Sequence, residues 1–148
     1  MTAAVALGAL VGPAQVGSRV IEMAGKGKHH PLWTMTAALV LVAVGLGLLT
    51  LGLGPISLAI LLYGAGNGVF SIAKGTVPLA VFGPDRYAPI VGRLARPSLV
   101  AQALAPAASA WILEYTNVTG VYGLLLLLSA ANMMLCVGLW ARFRAARK

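Results

Sequence analysis

The sequence predicts an all-α polytopic membrane protein with five transmembrane helices, and three observations carry that prediction. The chain is 59% hydrophobic and only 9% charged, where a soluble domain carries about 25% charged residues. A soluble chain this apolar would expose large greasy patches. The apolar residues fall in long runs, and most of these runs reach the roughly 20 residues that a helix needs to cross a bilayer. The basic residues cluster at every second connection between runs, as the positive-inside rule predicts for a chain threading back and forth through a membrane.

The elements follow in order. The first run, residues 3–18, is short and interrupted by Gly12-Pro13, and is read as a span that begins at or just after Met1. Runs at 33–53, 56–82, 90–113 and 121–140 are long and continuous. All are expected to be α-helical, because lipid offers no partner for an unpaired backbone group. The period-two alternation of a membrane barrel is absent. With no repeat and no low-complexity linker, residues 1–148 read as one membrane unit.

The chain has eleven Lys and Arg against three Asp and Glu. Arg19, Lys26 and Lys28 follow the first run, Arg86, Arg93 and Arg96 precede or begin the fourth, and Arg142, Arg144, Arg147 and Lys148 close the chain. The connections around Gly54-Pro55 and from Glu114 to Gly120 carry no Lys or Arg. The loop 19–31, the loop 83–96 and the carboxyl tail are therefore expected on the cytoplasmic side of a cell inner membrane, and the amino terminus outside. The basic residues abut apolar runs and form no aromatic-interleaved patch, so anionic lipid headgroups, not nucleic acid, are the expected counter-charge. No basic segment precedes the first apolar stretch, so no cleaved signal peptide is expected.

Catalytic signals are weak. Cys136 lies alone in an apolar run, with no disulfide partner and no metal-ligand spacing. No Ser/His/Asp, Cys/His or paired-carboxylate arrangement exists, so no enzyme, metal or cofactor is expected. Gly64-x-Gly66-x-Gly68 lacks the preceding strand and following acid of a dinucleotide fingerprint. His29-His30 reads as a solvated pair, and Asn117-Val118-Thr119 matches a glycosylation sequon in an outer loop.

The third run holds the sharpest pattern. Tyr63, Asn67, Ser71, Lys74 and Pro78 are spaced by four, four, three and four residues, which confines them to a helical stripe of roughly 80°. Gly64, Gly68 and Gly75 form a second stripe beside it, fit for close packing against a neighbour. The stripe is expected either to line an aqueous solute pathway or to act as polar glue inside the bundle. Lys74 has two expectations of its own. It is a functional group within a span, or its long stem carries the ammonium to the inner headgroups. Pro78 removes the N–H that would bond to the Lys74 carbonyl, so the helix is expected to bend around Gly75. The fourth run repeats the device. Ser98, Gln102 and Ser109 share a stripe, and Pro106 frees the carbonyl of Gln102. The two helices run antiparallel, which sets Lys74 and Gln102 at comparable depth. The first run ends with Arg19, Glu22 and Lys26, spaced for a structural ion-pair ladder at the inner surface. The second and fifth runs are nearly pure aliphatic and read as lipid-facing. The first, third and fourth, rich in Gly, Pro, Ser, Asn and Gln, read as interior.

Three segments together resemble the carboxyl-terminal part of a major facilitator superfamily transporter. They are Tyr63-Gly64-Ala65-Gly66-Asn67-Gly68, Gly75-Thr76-Val77-Pro78-Leu79-Ala80-Val81-Phe82-Gly83-Pro84, and Gly92-Arg93-Leu94-Ala95-Arg96-Pro97. The resemblance covers essentially the whole chain as helices eight to twelve of twelve. It implies a secondary transporter that moves a small solute by alternating access, inactive without the amino-terminal half that holds the other helices. The family's loop motif after helix eight is reduced here to Gly12 and a displaced Arg19, so its gating role is not expected. A small structural or assembly membrane protein without transport activity is the competing expectation.

Overall fold

The computed structural model describes residues 2–25 and 30–145, which form six helical segments and no strand. Lys26, Lys28, His29, Arg147 and Lys148 of the basic clusters lie outside the described residues, and so does the expected contact of Glu22 with Lys26. α1 (Thr2–Ala9) and α2 (Val11–Ala24) are separated by Leu10 alone. Leu10 keeps right-handed helical angles, and its amide bonds Leu7 O at 3.2 Å. Pro13 explains the break: it has no N–H for the carbonyl of Ala9, one turn earlier.

α3 (Pro31–Leu51), α4 (Ile56–Phe82) and α6 (Val118–Ala145) are long and apolar enough to cross a membrane. At 1.5 Å per residue, the 21 residues of α3 extend for about 31 Å, close to a hydrocarbon core of ~30 Å. α5 (Pro84–Tyr115) is the longest helix at 32 residues. Asp85, Arg86, Arg93 and Arg96 in its first turns make it more polar. Residues 83–96 were expected as a loop, and Asp85-Arg86 as a turn. They are helical because Gly83, at φ 74°, turns the chain between α4 and α5, and Pro84 opens α5 at its first position. A fixed proline φ and no amide to satisfy suit that position. Asp85 in the first turn complements the positive end of the helix dipole.

The connections are tight. Gly52, left-handed at φ 64°, ends α3, and the Leu53 amide folds back to Leu48 O at 3.0 Å. Between α5 and α6, Thr116 Oγ1 donates to Ile112 O at 2.7 Å, and Asn117 Oδ1 accepts the Gly120 amide at 2.8 Å. The sequon asparagine thus caps α6.

α4 is the central helix, packed along α3 and α2, while α3 also packs on α6. Glycines set these contacts, since lipid supplies no hydrophobic drive between helices and close backbone approach must replace it. A methyl at Gly66 would stand 2.8 Å from Ala38 O and Val42 N on α3, and one at Gly45 would stand 2.8 Å from Ala59 O and Tyr63 N on α4. On the other flank, a methyl at Gly64 would stand 3.0 Å from Ala14 Cβ, and one at Gly68 would meet Gln15 and Ser18 of α2. Gly64-x-Gly66-x-Gly68 is therefore a two-sided clamp. Gly75 departs from the expected seam: its nearest neighbour is the Tyr87 hydroxyl of α5, at an ordinary contact distance of 3.7 Å.

The division into peripheral and interior helices is corrected by the packing. α3, expected to face lipid, buries Leu32, Thr34, Ala38, Leu39, Gly45 and Leu46. α5, expected to be interior, buries nothing. Aliphatic composition cannot separate the two cases, because a leucine is equally at home against lipid and against protein.

One end of the bundle collects the basic residues. There Leu32, Ala73 and Val77 form a core against which Leu139, Trp140 and Phe143 pack. Trp33 and Trp140 stack edge to face at 5.1 Å, with the Arg144 guanidinium 5.0 Å from the Trp140 ring. Trp140 Nε1 donates to Thr36 Oγ1 at 3.2 Å. His30 caps α3, its Nδ1 accepting the Leu32 amide at 3.3 Å while its ring packs 4.7 Å from Phe143. His30 is thus half-buried, not solvated as expected. Trp111 and Tyr115 pair at 5.2 Å at the far end of α5. Aromatic rings at both ends of a helical bundle match the two interfaces of a bilayer.

Candidate functional site

The polar stripe of α4 lies between the faces that meet α3 and α2, on the side turned towards α5. Lys74 sits eight residues before the end of α4 at Phe82, about 12 Å along the axis at 1.5 Å per residue. Its Nζ donates to Ser98 Oγ of α5 at 3.4 Å, and Gln102 Nε2 donates to the same oxygen at 3.0 Å. Ser98 and Gln102 are one turn apart, so one face of α5 offers both to Lys74. The serine oxygen accepts twice, which leaves its own hydrogen free to donate. None of the chain's three acidic side chains forms an ion pair with Lys74 among the described residues.

The other stripe residues take different roles. Ser71 Oγ turns back to Gly68 O at 2.7 Å. Tyr63 and Asn67 are half-buried, and among the described residues their side-chain polar atoms make no hydrogen bond. Ser109 Oγ, higher on α5, donates to Pro106 O at 3.0 Å and is exposed. Lys74, Ser98 and Gln102 therefore come together, while Tyr63 and Asn67 stay outside the cluster and Ser109 lines a separate hollow with Val118, Val121 and Tyr122 of α6. Ser98 is the member of least chemical prominence in the sequence; its position one turn before Gln102 is the signal that finds it.

α4 runs as one helix through Gly75 and Pro78, and α5 through Pro89, Pro97 and Pro106. Thr76 Oγ1 bonds Ile72 O at 3.1 Å beside the proline turn. Pro78 and Pro106 still leave the carbonyls of Lys74 and Gln102 without their helical donors, so the two weakened turns belong to residues that share one hydroxyl.

The ion pair expected between Arg19 and Glu22 does not form among the described residues. Glu22 is half-buried and accepts from Thr34 Oγ1 of α3 at 2.6 Å, whereas Arg19 is exposed. The carboxylate is drawn inward by a buried hydroxyl that needs an acceptor. It also lines an open hollow of about 420 Å³ with Trp33, Thr34 and Ala37.

Beside Lys74 lies an apolar cavity of about 390 Å³. Its walls come from four helices, with Met35 on α3, Phe70 and Val77 on α4, Leu94 on α5 and Leu139 on α6. Among the described residues, Lys74 supplies the only charge on its lining. A narrower space of about 70 Å³ continues past Lys74 between Pro78, Val91 and Ala95. Compared with known protein families, curated proteins and solved structures, the chain has no match.

Proposed function

We propose that this chain is the carboxyl-terminal part of a secondary transporter of the major facilitator type, in which it forms five spans and works with an amino-terminal half. α1 and α2 together make the first span, α5 the fourth. The basic end of the bundle faces the cytoplasm of a cell inner membrane, as the positive-inside rule requires. The observation that carries the reading is the meeting of Lys74, Ser98 and Gln102 between two proline-containing helices. Lys74 is exposed on the side of α4 turned towards α5, and an ionisable group at that depth of a span, bonded to a neutral hydroxyl, suits a solute pathway better than a lipid anchor.

The face of α5 that carries Gln102 and Ser109 is exposed. In the proposed transporter that face, with Tyr63 and Asn67 opposite, borders the central cavity, and the amino-terminal half closes it. Rocking of one half against the other opens the cavity to each side in turn. The prolines at 78 and 106 let the helices flex where the polar residues meet. The solute is small, and any proton-carrying carboxylate belongs to the other half, because the chain has none mid-span.

Cysteine reactivity tests this. Cys136 is replaced by alanine, and single cysteines are placed at Asn67, Ser71, Gln102, Leu127 and Leu135 in native membranes. A water-soluble, membrane-impermeant thiol reagent should label the first three from one side and leave Leu127 and Leu135 unlabelled. Equal silence at all five positions would dispose of the aqueous pathway and favour a structural protein without transport activity.

A further inference from the structure

We infer that the cavity beside Lys74 is a binding site for a single-chain organic monocarboxylate, its tail in the cavity and its carboxylate on Lys74, Ser98 and Gln102. The inference deepens the transporter reading by naming a class of solute, and rests on that reading only for calling the ligand cargo.

The charge argument comes first. Lys74 is an exposed cation on a candidate span, and among the described residues its hydrogen bond is to a neutral hydroxyl, 3.4 Å away. A membrane-embedded ammonium ordinarily pairs with an anion or with backbone carbonyls. The groups around it are nearly all donors: the remaining ammonium hydrogens, the Ser98 hydroxyl hydrogen and the second hydrogen of Gln102 Nε2. A carboxylate accepts through two oxygens and donates nothing, so it matches this set, and the bonds it makes are charge-assisted. A cationic head group would be repelled by the ammonium, and a neutral one would accept its hydrogens without balancing its charge.

The cavity supplies the second half of the argument. Apart from Lys74 its lining is apolar, from Phe70, Val77, Pro78, Leu94 and Leu139. Its volume of about 390 Å³ lies within the usual range for small-molecule sites. At about 30 Å³ for each water-sized atom, it takes on the order of a dozen non-hydrogen atoms, the size of decanoate. A diacyl phospholipid is several times too large. Phosphate groups on bilayer lipids share the negative charge but not the fit.

The test uses the purified chain in a neutral maltoside detergent and radiolabelled decanoate as the probe. The expected result is saturable binding, displaced by unlabelled decanoate and not by decanol or decylamine. Lys74→Met should weaken binding about tenfold, as loss of a charge-assisted bond implies, and Lys74→Arg should retain most of it. Leu139→Trp, which fills the cavity from α6, a wall that carries none of the three polar residues, should abolish binding while the protein stays monodisperse. Equal displacement by decanol, unchanged affinity in Lys74→Met, or displacement only by phosphatidylglycerol would each overturn the inference. Absence of decanoate binding to the wild-type chain would do the same and leave the transporter reading to the cysteine experiment, which does not depend on any ligand.

Discussion

Lys74 and Gln102, on different helices, donate to one and the same oxygen, Ser98 Oγ, at 3.4 and 3.0 Å. Each stands four residues before a proline, Pro78 and Pro106, so each has a backbone carbonyl without its helical donor. The contact therefore joins two locally weakened helices through a neutral hydroxyl that can accept from either side. A charge, a weak turn and an adjacent cavity coincide at this one point of the bundle.

The glycine clamp yields a sharp stability prediction. Gly66→Leu should disrupt the α3–α4 contact and Gly68→Leu the α2–α4 contact, because each adds a side chain where a single methyl already meets backbone within 2.8 Å. Overpacking of this kind costs about 1–3 kcal/mol or more. Gly47→Leu is the control, since nothing lies within 4 Å of a methyl there. Thermal unfolding in detergent should lower the midpoint for the first two and leave the third near wild type. A midpoint for Gly68→Leu equal to that of Gly47→Leu would show that α2 is not docked on α4.

His30 should act through its cap and its ring separately. His30→Ala loses both the acceptor for the Leu32 amide and the packing on Phe143, and should lower stability by about 1–2 kcal/mol, a typical cap loss with some aromatic contact added. His30→Asn restores an acceptor without the ring, and should recover roughly half of the loss. Equal loss in both variants would assign the whole effect to the ring.

The helices were largely legible in the sequence, and their partners were not. The run at 56–82 coincides with α4 because its ends are marked by Pro55 and Gly83, residues with a fixed or left-handed φ. The proximity of Lys74 and Gln102 followed from antiparallel order and equal depth. The core role of α3 did not follow, because packing between helices in lipid depends on the small residues Ala38 and Gly45, not on how apolar the helix is. The role of Glu22 was missed for a related reason. Helical spacing places Arg19 and Lys26 near it, but its acceptor function is taken by Thr34 of another helix at 2.6 Å, and a tertiary contact of that kind has no local pattern.

Ser129 offers a test of burial. Its hydroxyl is buried in α6 without a hydrogen-bond partner among the described residues. Leaving a polar group buried and unpaired costs about 1–3 kcal/mol. Ser129→Ala removes the group with almost no change of shape, so it should hold or raise the thermal midpoint. A clear fall in the midpoint would mean that the hydroxyl is satisfied by an ordered water.

Topology is checked by labelling. Single cysteines at Arg86 and Arg144 should react from one side of the membrane, and one at Asn117 from the other. The basis is that the basic connections lie at one end of the bundle and the α5–α6 turn at the opposite end. Labelling of Asn117 and Arg144 from the same face would reverse this arrangement.

On the proposed transporter reading, transport needs an amino-terminal half. The chain alone in liposomes should give no saturable solute flux above empty vesicles, since alternating access requires two bundles moving about a shared site. Saturable counterflow of decanoate by the 148-residue chain would instead indicate that copies of it assemble into a complete carrier.

Lys74 should carry function at the expense of stability. A lysine at the centre of a membrane helix costs about 2.5–3.5 kcal/mol on insertion scales. Lys74 is roughly 12 Å of helix from the end of α4, so a smaller cost, on the order of 1 kcal/mol, is expected there. Its one hydrogen bond among the described residues is long, at 3.4 Å to a neutral group, and offsets little of that. Lys74→Met keeps the stem and removes the charge. It should insert and fold at least as well as wild type, with an unchanged or higher thermal midpoint, while decanoate binding falls. Ser98→Ala should have a milder effect on binding, because the ammonium remains. A structural lysine predicts the reverse order: Lys74→Met would lower the midpoint as much as Gly68→Leu, and binding would fall only in proportion to the folded fraction. Measuring midpoint and binding on the same preparations separates the two, since only a ligand-holding charge lets stability and binding move in opposite directions.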